Sequence, residues 1–351
     1  MLVVFGAERK HDVSLYLAVT AVFLLHLRYF LGLFFPGVEL TLLSILMLGC
    51  LTLSLKNRQQ CILLLIGLCL CLFNSSIMMF LYIFLFCIAF KDDISLFASC
   101  NIILQIVCVL LLFHALSAGL VKETAEMTPK GLISDFGFGN SNGCAGYVYS
   151  LISNIYFLTF KRMKYLMIFL LLPVTLVVFE YTVSRTFLLA SLSLILAHFL
   201  CLILPAKLIQ KLSVLLAVFP CVMLLISVYY SLNVESYKEL DIIMSGRLSL
   251  YSNFISSFTP FTFLIGYTRD FDMPLDNFYI ALLISGGIIL TIVILAFFFI
   301  IIMRHSQKLY IYYPFIFSIL IYSIGESYLI SMLPSNMLLW IFLYKYKFIK
   351  V

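Results

Sequence analysis

Three arginines stand out in a chain that carries few charges. Arg185 lies in Ser184-Arg185-Thr186, Arg247 in Ser245-Gly246-Arg247, and Arg269 in Gly266-Tyr267-Thr268-Arg269-Asp270. A guanidinium is permanently charged, and its planar fork of donors matches phosphate oxygens two at a time. Gathered at a membrane–water boundary, such groups suit a lipid phosphate or pyrophosphate. Each could also make a plain ion pair, Arg185 with Glu180 and Arg269 with Asp270 or Asp272. Their shared occurrence on a face otherwise rich in acids favours the phosphate reading.

The acids supply the other half of a transfer chemistry. Asp276 opens an apolar run in Asp276-Asn277-Phe278-Tyr279-Ile280, where partial desolvation can raise a carboxylate towards the range of a useful general base. Asp is also among the best helix caps, and the two roles can coexist. Glu326, in Gly325-Glu326-Ser327, is a second candidate. Asp270-Phe271-Asp272 has the DxD pattern that can hold a divalent metal through hard oxygens, but three letters in so acidic a loop assign no metal. The histidines lie in apolar runs or basic breaks and none falls in the long acidic loop, which argues against an external His-dependent hydrolase. His26 and Arg28 sit inside the first run. There a charge is costly, and Arg28 either snorkels or joins a phosphate-lined cavity. The stretch 137–143 is rich in Gly and Asn and fits a tight turn feeding a helix N-terminus. It lacks the Gly-Lys-Ser/Thr ending of a nucleotide loop.

The elements that position these groups must lie in lipid. The 351 residues are 64% hydrophobic and 11% charged, with a mean hydropathy of +1.15. A soluble domain has roughly 25% charged residues, so cytosolic enzymes, nucleic-acid readers and disordered tails are excluded. Unbroken apolar runs such as 102–118 and 280–303 exclude a β-barrel and demand helices, because only a helix satisfies its own backbone in lipid. The runs fall at 14–35, 38–55, 61–73, 75–90, 94–119, 142–160, 165–182, 186–204, 212–232, 277–303, 309–325 and 328–344. The expected fold is therefore all-α, a single polytopic domain over 1–351 with about twelve transmembrane helices. Only Asn74 parts the third and fourth runs, which form a hairpin of short spans or one bent element. There is no internal repeat and no evident cleavable signal peptide. Nearly all of the ten cysteines lie within apolar runs, so no disulfide framework is expected.

Charge orients the chain. One alternating set of breaks holds 15 of the 22 basic residues and four of the 16 acids; the other set is acidic. Lys and Arg mark the cytoplasmic side, so both termini are expected there. Two external segments, 120–141 and 233–276, are long enough to build something. In the second, Leu248, Tyr251, Ile255 and Phe258 recur at helical spacing. They predict a short amphipathic helix along the membrane surface or packed over the bundle, with Ser245 as its cap.

Phe136-Gly137-Phe138-Gly139-Asn140-Ser141-Asn142 at the head of a span resembles the GxxNPN turn of O-antigen and capsular polysaccharide polymerases of the Wzy type. Ser184-Arg185-Thr186 is similar to their SRT/SRG motif. Ser245-Gly246-Arg247, then Phe263-Leu264-Ile265-Gly266-Tyr267 and Asp276-Asn277-Phe278-Tyr279, look like the motifs of their long outer loop. The likeness covers roughly 135–290. Ser141 stands where Pro is usual. Asp276 stands where the related O-antigen ligases carry His, which favours polymerase over ligase. The resemblance implies a metal-independent glycosyltransferase with no cofactor, in the bacterial cytoplasmic (inner) membrane. Donor and acceptor would both be oligosaccharides on polyprenyl pyrophosphate, amid membrane lipids and with a chain-length regulator protein as partner. It places Arg185 and Arg247 on the donor pyrophosphate, Arg269 on either lipid's phosphates, and Asn140, Asn277, Tyr279 and Glu326 at the substrate. Asp276 would deprotonate the acceptor hydroxyl, with Glu326 in reserve.

Overall fold

The computed structural model describes residues 13–34, 41–55, 57–128, 131–268, 275–330 and 337–347. The chain begins with α1 (Val13–Phe34), α2 (Thr41–Leu53), α3 (Arg58–Cys71), α4 (Ile77–Phe90) and α5 (Ile94–Ser117). A hairpin of β1 (Ala125–Thr128) and β2 (Gly131–Ser134) leads into α6 (Ser141–Thr182), α7 (Arg185–Ile203), α8 (Ala206–Lys211) and α9 (Ser213–Leu232). Three short helices follow, α10 (Lys238–Ile243), α11 (Arg247–Ser256) and α12 (Pro260–Ile265). The last group is α13 (Phe278–Arg304), α14 (Ser306–Leu309), α15 (Tyr313–Gly325) and α16 (Met337–Lys347).

Seven helical stretches among the described residues are long and apolar enough to cross a membrane, and α2, α3 and α4 are shorter apolar helices. Phe169, Leu225 and Val293 leave 74%, 68% and 58% of their surface uncovered. Apolar exposure on that scale along whole helices needs lipid as its solvent. The chain is a helical membrane protein.

The expected division of 142–182 into two spans corresponds to the two arms of α6. Its 42 residues break at Lys164, where the backbone turns to φ 35° and ψ −113°. The Thr159 hydroxyl lies 3.5 Å from the Met167 sulfur. Eight residues of straight helix would part them by about 12 Å. The chain therefore turns sharply at the break, and the ring of His198 on α7 takes up the freed Lys164 carbonyl at 2.9 Å. Two expectations shift. The final run, expected from 328, begins as a short 3-10 turn at Tyr328–Ile330, and α16 starts only at Met337. The segment 120–141 is not wholly irregular, because β1 and β2 pair antiparallel from Ala125 opposite Ser134 to Thr128 opposite Gly131. Asp135 closes that hairpin by accepting the Thr124 and Gly137 amides, both at 2.9 Å.

Side-chain contacts define two ends of the bundle. At one, the Lys161 ammonium lies over the Tyr312 ring, and Tyr346 meets both Phe342 and His305. At the other lie the starts of α7, α11 and α13 and the finish of α15. Between the ends, Tyr322 stacks on Tyr149 at 4.3 Å, and Tyr328 meets it edge-on at 4.9 Å. The ten cysteines are free.

Candidate active site

α11 forms where the sequence predicts it, but its start is held differently. Ser245 and Gly246 both take left-handed backbone, at φ 60° and 78°, and neither caps the helix with a side chain. Asp241, on α10, does so instead. Its carboxylate accepts the Leu248 and Ser249 amides at 2.8 and 3.2 Å and also the Ser249 hydroxyl. Leu248 and Tyr251 are buried, Ile255 and Phe258 pack against the core, and Asn253 and Ser256 are exposed. Of the two placements open to an amphipathic helix here, α11 takes the packed one, against α9 and α13.

That packing delivers Arg247 to its partners. Its Nη2 lies 2.6 Å from Asp276 Oδ2, with about a quarter of each side chain exposed (26% and 24%). Its Nη1 donates to the Gly325 carbonyl at 3.5 Å. Asp276 is free for this pairing because the cap of α13 falls to the next residue. Asn277 Oδ1 accepts the Tyr279 and Ile280 amides at 2.9 and 3.2 Å. Its amide nitrogen donates to Ser227 on α9 at 3.0 Å, and its backbone N–H donates to the Tyr251 hydroxyl at 3.2 Å. Tyr279 is fully buried and donates to the Leu320 carbonyl on α15 at 2.9 Å. Both residues thus tie α13 to its neighbours.

Glu326 completes the group. It follows Gly325 at the end of α15 and is half-buried, and among the described residues it makes no hydrogen bond or ion pair. Burial pushes its carboxyl up to about 8; the negative Asp276 adds to this and Arg247 opposes it. The Tyr251 hydroxyl is pushed to about 12, by burial first and by Asp276 and Glu326 after it, against Arg247. One guanidinium, two carboxyls and a phenol therefore share one electrostatic neighbourhood.

Ser184-Arg185-Thr186 reaches the same corner. A Cβ on Gly325 would overlap the Thr186 hydroxyl, so the start of α7 lies directly against the end of α15. Arg185 is exposed there, and no ion pair joins it to Glu180. Asn140 is exposed and caps α6 by accepting the Gly143 amide, with Gly137 and Gly139 left-handed in the turn before it. Arg269, Asp270 and Asp272 lie outside the described residues. His26 bonds Asn101 at 3.1 Å inside the bundle, as a satisfied core histidine would.

The chain leading to Arg269 is fixed by backbone contact. α13 is broken at Gly287 (φ 65°, ψ 178°), a conformation close to glycine-only, and Gly266 (φ 85°) lies against the break. The Tyr267 amide donates to the Ile284 carbonyl at 2.7 Å. Asn74, between α3 and α4, donates to the Ile265 and Ser285 carbonyls, both at 2.8 Å. Sequence reasoning missed Asp241, Asn74 and the Tyr251 hydroxyl. Asn74 did carry a signal, as the lone polar residue between two apolar runs.

Among the described residues no three His, Cys, Asp or Glu side chains come together as metal ligands. No protein-family model matches the chain, and neither a curated protein nor a solved structure is significantly similar to it.

Proposed function

We propose that this protein is a glycosyltransferase that joins polyprenyl-pyrophosphate-linked oligosaccharide repeat units into O-antigen or capsular polysaccharide, at the outer face of a bacterial cytoplasmic membrane. About twelve spans, with both termini cytoplasmic, belong to the same proposal. The observation that carries it is the pairing of Arg247 with Asp276 beside Glu326. These groups come from three separate stretches of sequence, and the start of α7 that bears Arg185 abuts them.

Nucleotide sugars are absent outside the cell, so the leaving group must arrive with the lipid. The acceptor hydroxyl attacks the anomeric carbon of the donor sugar, and the bond to the carrier pyrophosphate breaks. Negative charge then grows on the departing pyrophosphate, where fixed guanidinium groups supply the most stabilisation. Arg247 and Arg185 are assigned that task, with Arg269 on the phosphates of either lipid. A carboxylate must take the acceptor proton. A chain-length regulator is the expected protein partner.

The test is a gel profile of surface glycan from a strain lacking the gene, with lipid-linked intermediates analysed alongside. Single repeat units at the surface without longer chains are expected. Long glycan stranded on the carrier lipid would instead mark a ligase, and an unchanged profile would favour a transporter of the lipid-linked unit.

A further inference from the structure

The two carboxyl groups beside Arg247 are held differently, and the difference divides their work. Asp276 is engaged by Arg247 at 2.6 Å, and an ion-paired carboxylate is a poor base because protonation breaks the pair. Glu326 is half-buried with no such partner among the described residues, immediately after the carbonyl that Arg247 also reaches. The ionisable groups around it are Arg247 and Tyr251 on α11, Asp276 before α13, Arg185 at the start of α7, Tyr322 one turn earlier on α15 and Tyr328 just beyond. Arg247 and Asp276 oppose each other in their effect on Glu326, and burial tips the balance, raising its carboxyl to about 8. A base poised near the working pH is the most effective one, and paired carboxyls in contrasting surroundings are a recurrent way to divide acid and base roles.

We propose that Glu326, rather than Asp276, takes the proton from the acceptor hydroxyl, while Asp276 is the counter-ion that positions Arg247. This rests on the transferase reading above. In the step, the acceptor O–H proton passes to the Glu326 carboxylate and the acceptor oxygen bonds to the anomeric carbon. The carbon–oxygen bond to the carrier breaks, and its electron pair leaves with the polyprenyl pyrophosphate. Glu326 then returns its proton to water. No oxidant or further reactant is needed.

The test uses the full chain reconstituted in vesicles and supplied with lipid-linked repeat units extracted from the deletion strain. Elongation is followed from about pH 6 to about pH 9. For the wild type the rate should climb about tenfold per pH unit and level off near about 8, because only the deprotonated base is active. Glu326→Gln should lose about 100-fold or more and flatten that profile, while Glu326→Asp should restore part of the rate with a displaced profile. Asp276→Asn should lower the rate yet keep the pH-dependent limb. Folding is checked separately. The carboxyl is raised from 4.5 to about 8, so the folded state keeps a proton that the unfolded state has lost, and stability falls as pH rises through that window. Glu326→Gln should therefore melt no lower than wild type above about pH 8. If Glu326→Gln elongates with the wild-type profile, or if Asp276→Asn is the variant that removes the limb, the assignment is overturned. A wild-type protein that elongates nothing removes the transferase reading and this assignment together.

Discussion

At the scale of single residues, the consequence to follow is that Arg247 and Asp276 act as one unit. The pair is only about a quarter exposed, and removing either partner leaves a charge in a partly desolvated corner. Arg247→Ala and Asp276→Asn should each reduce glycan elongation by at least about tenfold, and the double variant should cost much less than the product of the two losses. Arg247→Lys should not rescue, because an ammonium cannot hold a carboxylate and a pyrophosphate with one rigid fork. Strictly multiplicative losses would show that the pair is not a functional unit. The sequence marks both residues but misplaces one job. Asp276 and Asn277 are adjacent and both residue types cap helices well. Only the arrival of Arg247 from α11 decides that Asn277 caps and Asp276 pairs.

Elements are placed here by breaks as much as by runs. The break at Lys164 could be read from its basic triplet, whereas the one at Gly287 sits inside a run of 27 residues with nothing polar around it. Its meaning comes from partners 191 and 211 residues away from Asn74, a distance that no local pattern encodes. The capping of α11 by Asp241 is likewise invisible to a rule that looks for Ser or Asp at the helix boundary itself. These contacts predict a graded pair of variants. Gly287→Ala forces a Cβ into the Leu264 carbonyl and the Gly266 amide in a backbone region costing about 1–3 kcal/mol for other residues, so it should sharply lower the amount of folded protein. Asn74→Ala frees two carbonyls that lie at the loop's anchor, at about 1 kcal/mol each. It should lower the melting temperature in detergent by several degrees and weaken elongation more than expression. An Asn74→Ala protein with wild-type melting and wild-type glycan length would show that the clamp does not position the loop.

Across the whole molecule, apolar composition makes the helices obligatory, and the scattered charges must then decide which end faces which side. Lys161 meets Tyr312 at one end, and Arg247 meets Asp276 at the other. A charge rule that reads only Lys and Arg assigns the first end to the cytoplasm. The transfer chemistry independently needs the second end outside, where the leaving group arrives on a lipid. The two arguments share no residue except Arg185, Arg247 and Arg269, which the charge rule disfavours outside and the chemistry requires there. Single cysteines placed in a cysteine-free variant test both arguments at once. Ser257 and Lys207 are exposed residues in breaks of opposite charge character. In intact spheroplasts, Ser257→Cys should react with a membrane-impermeant maleimide, and Lys207→Cys should react only after the membrane is opened. The reverse pattern would put the Arg247–Asp276 pair in the cytoplasm, where nucleotide sugars are available, and would remove the reason for a lipid-borne donor.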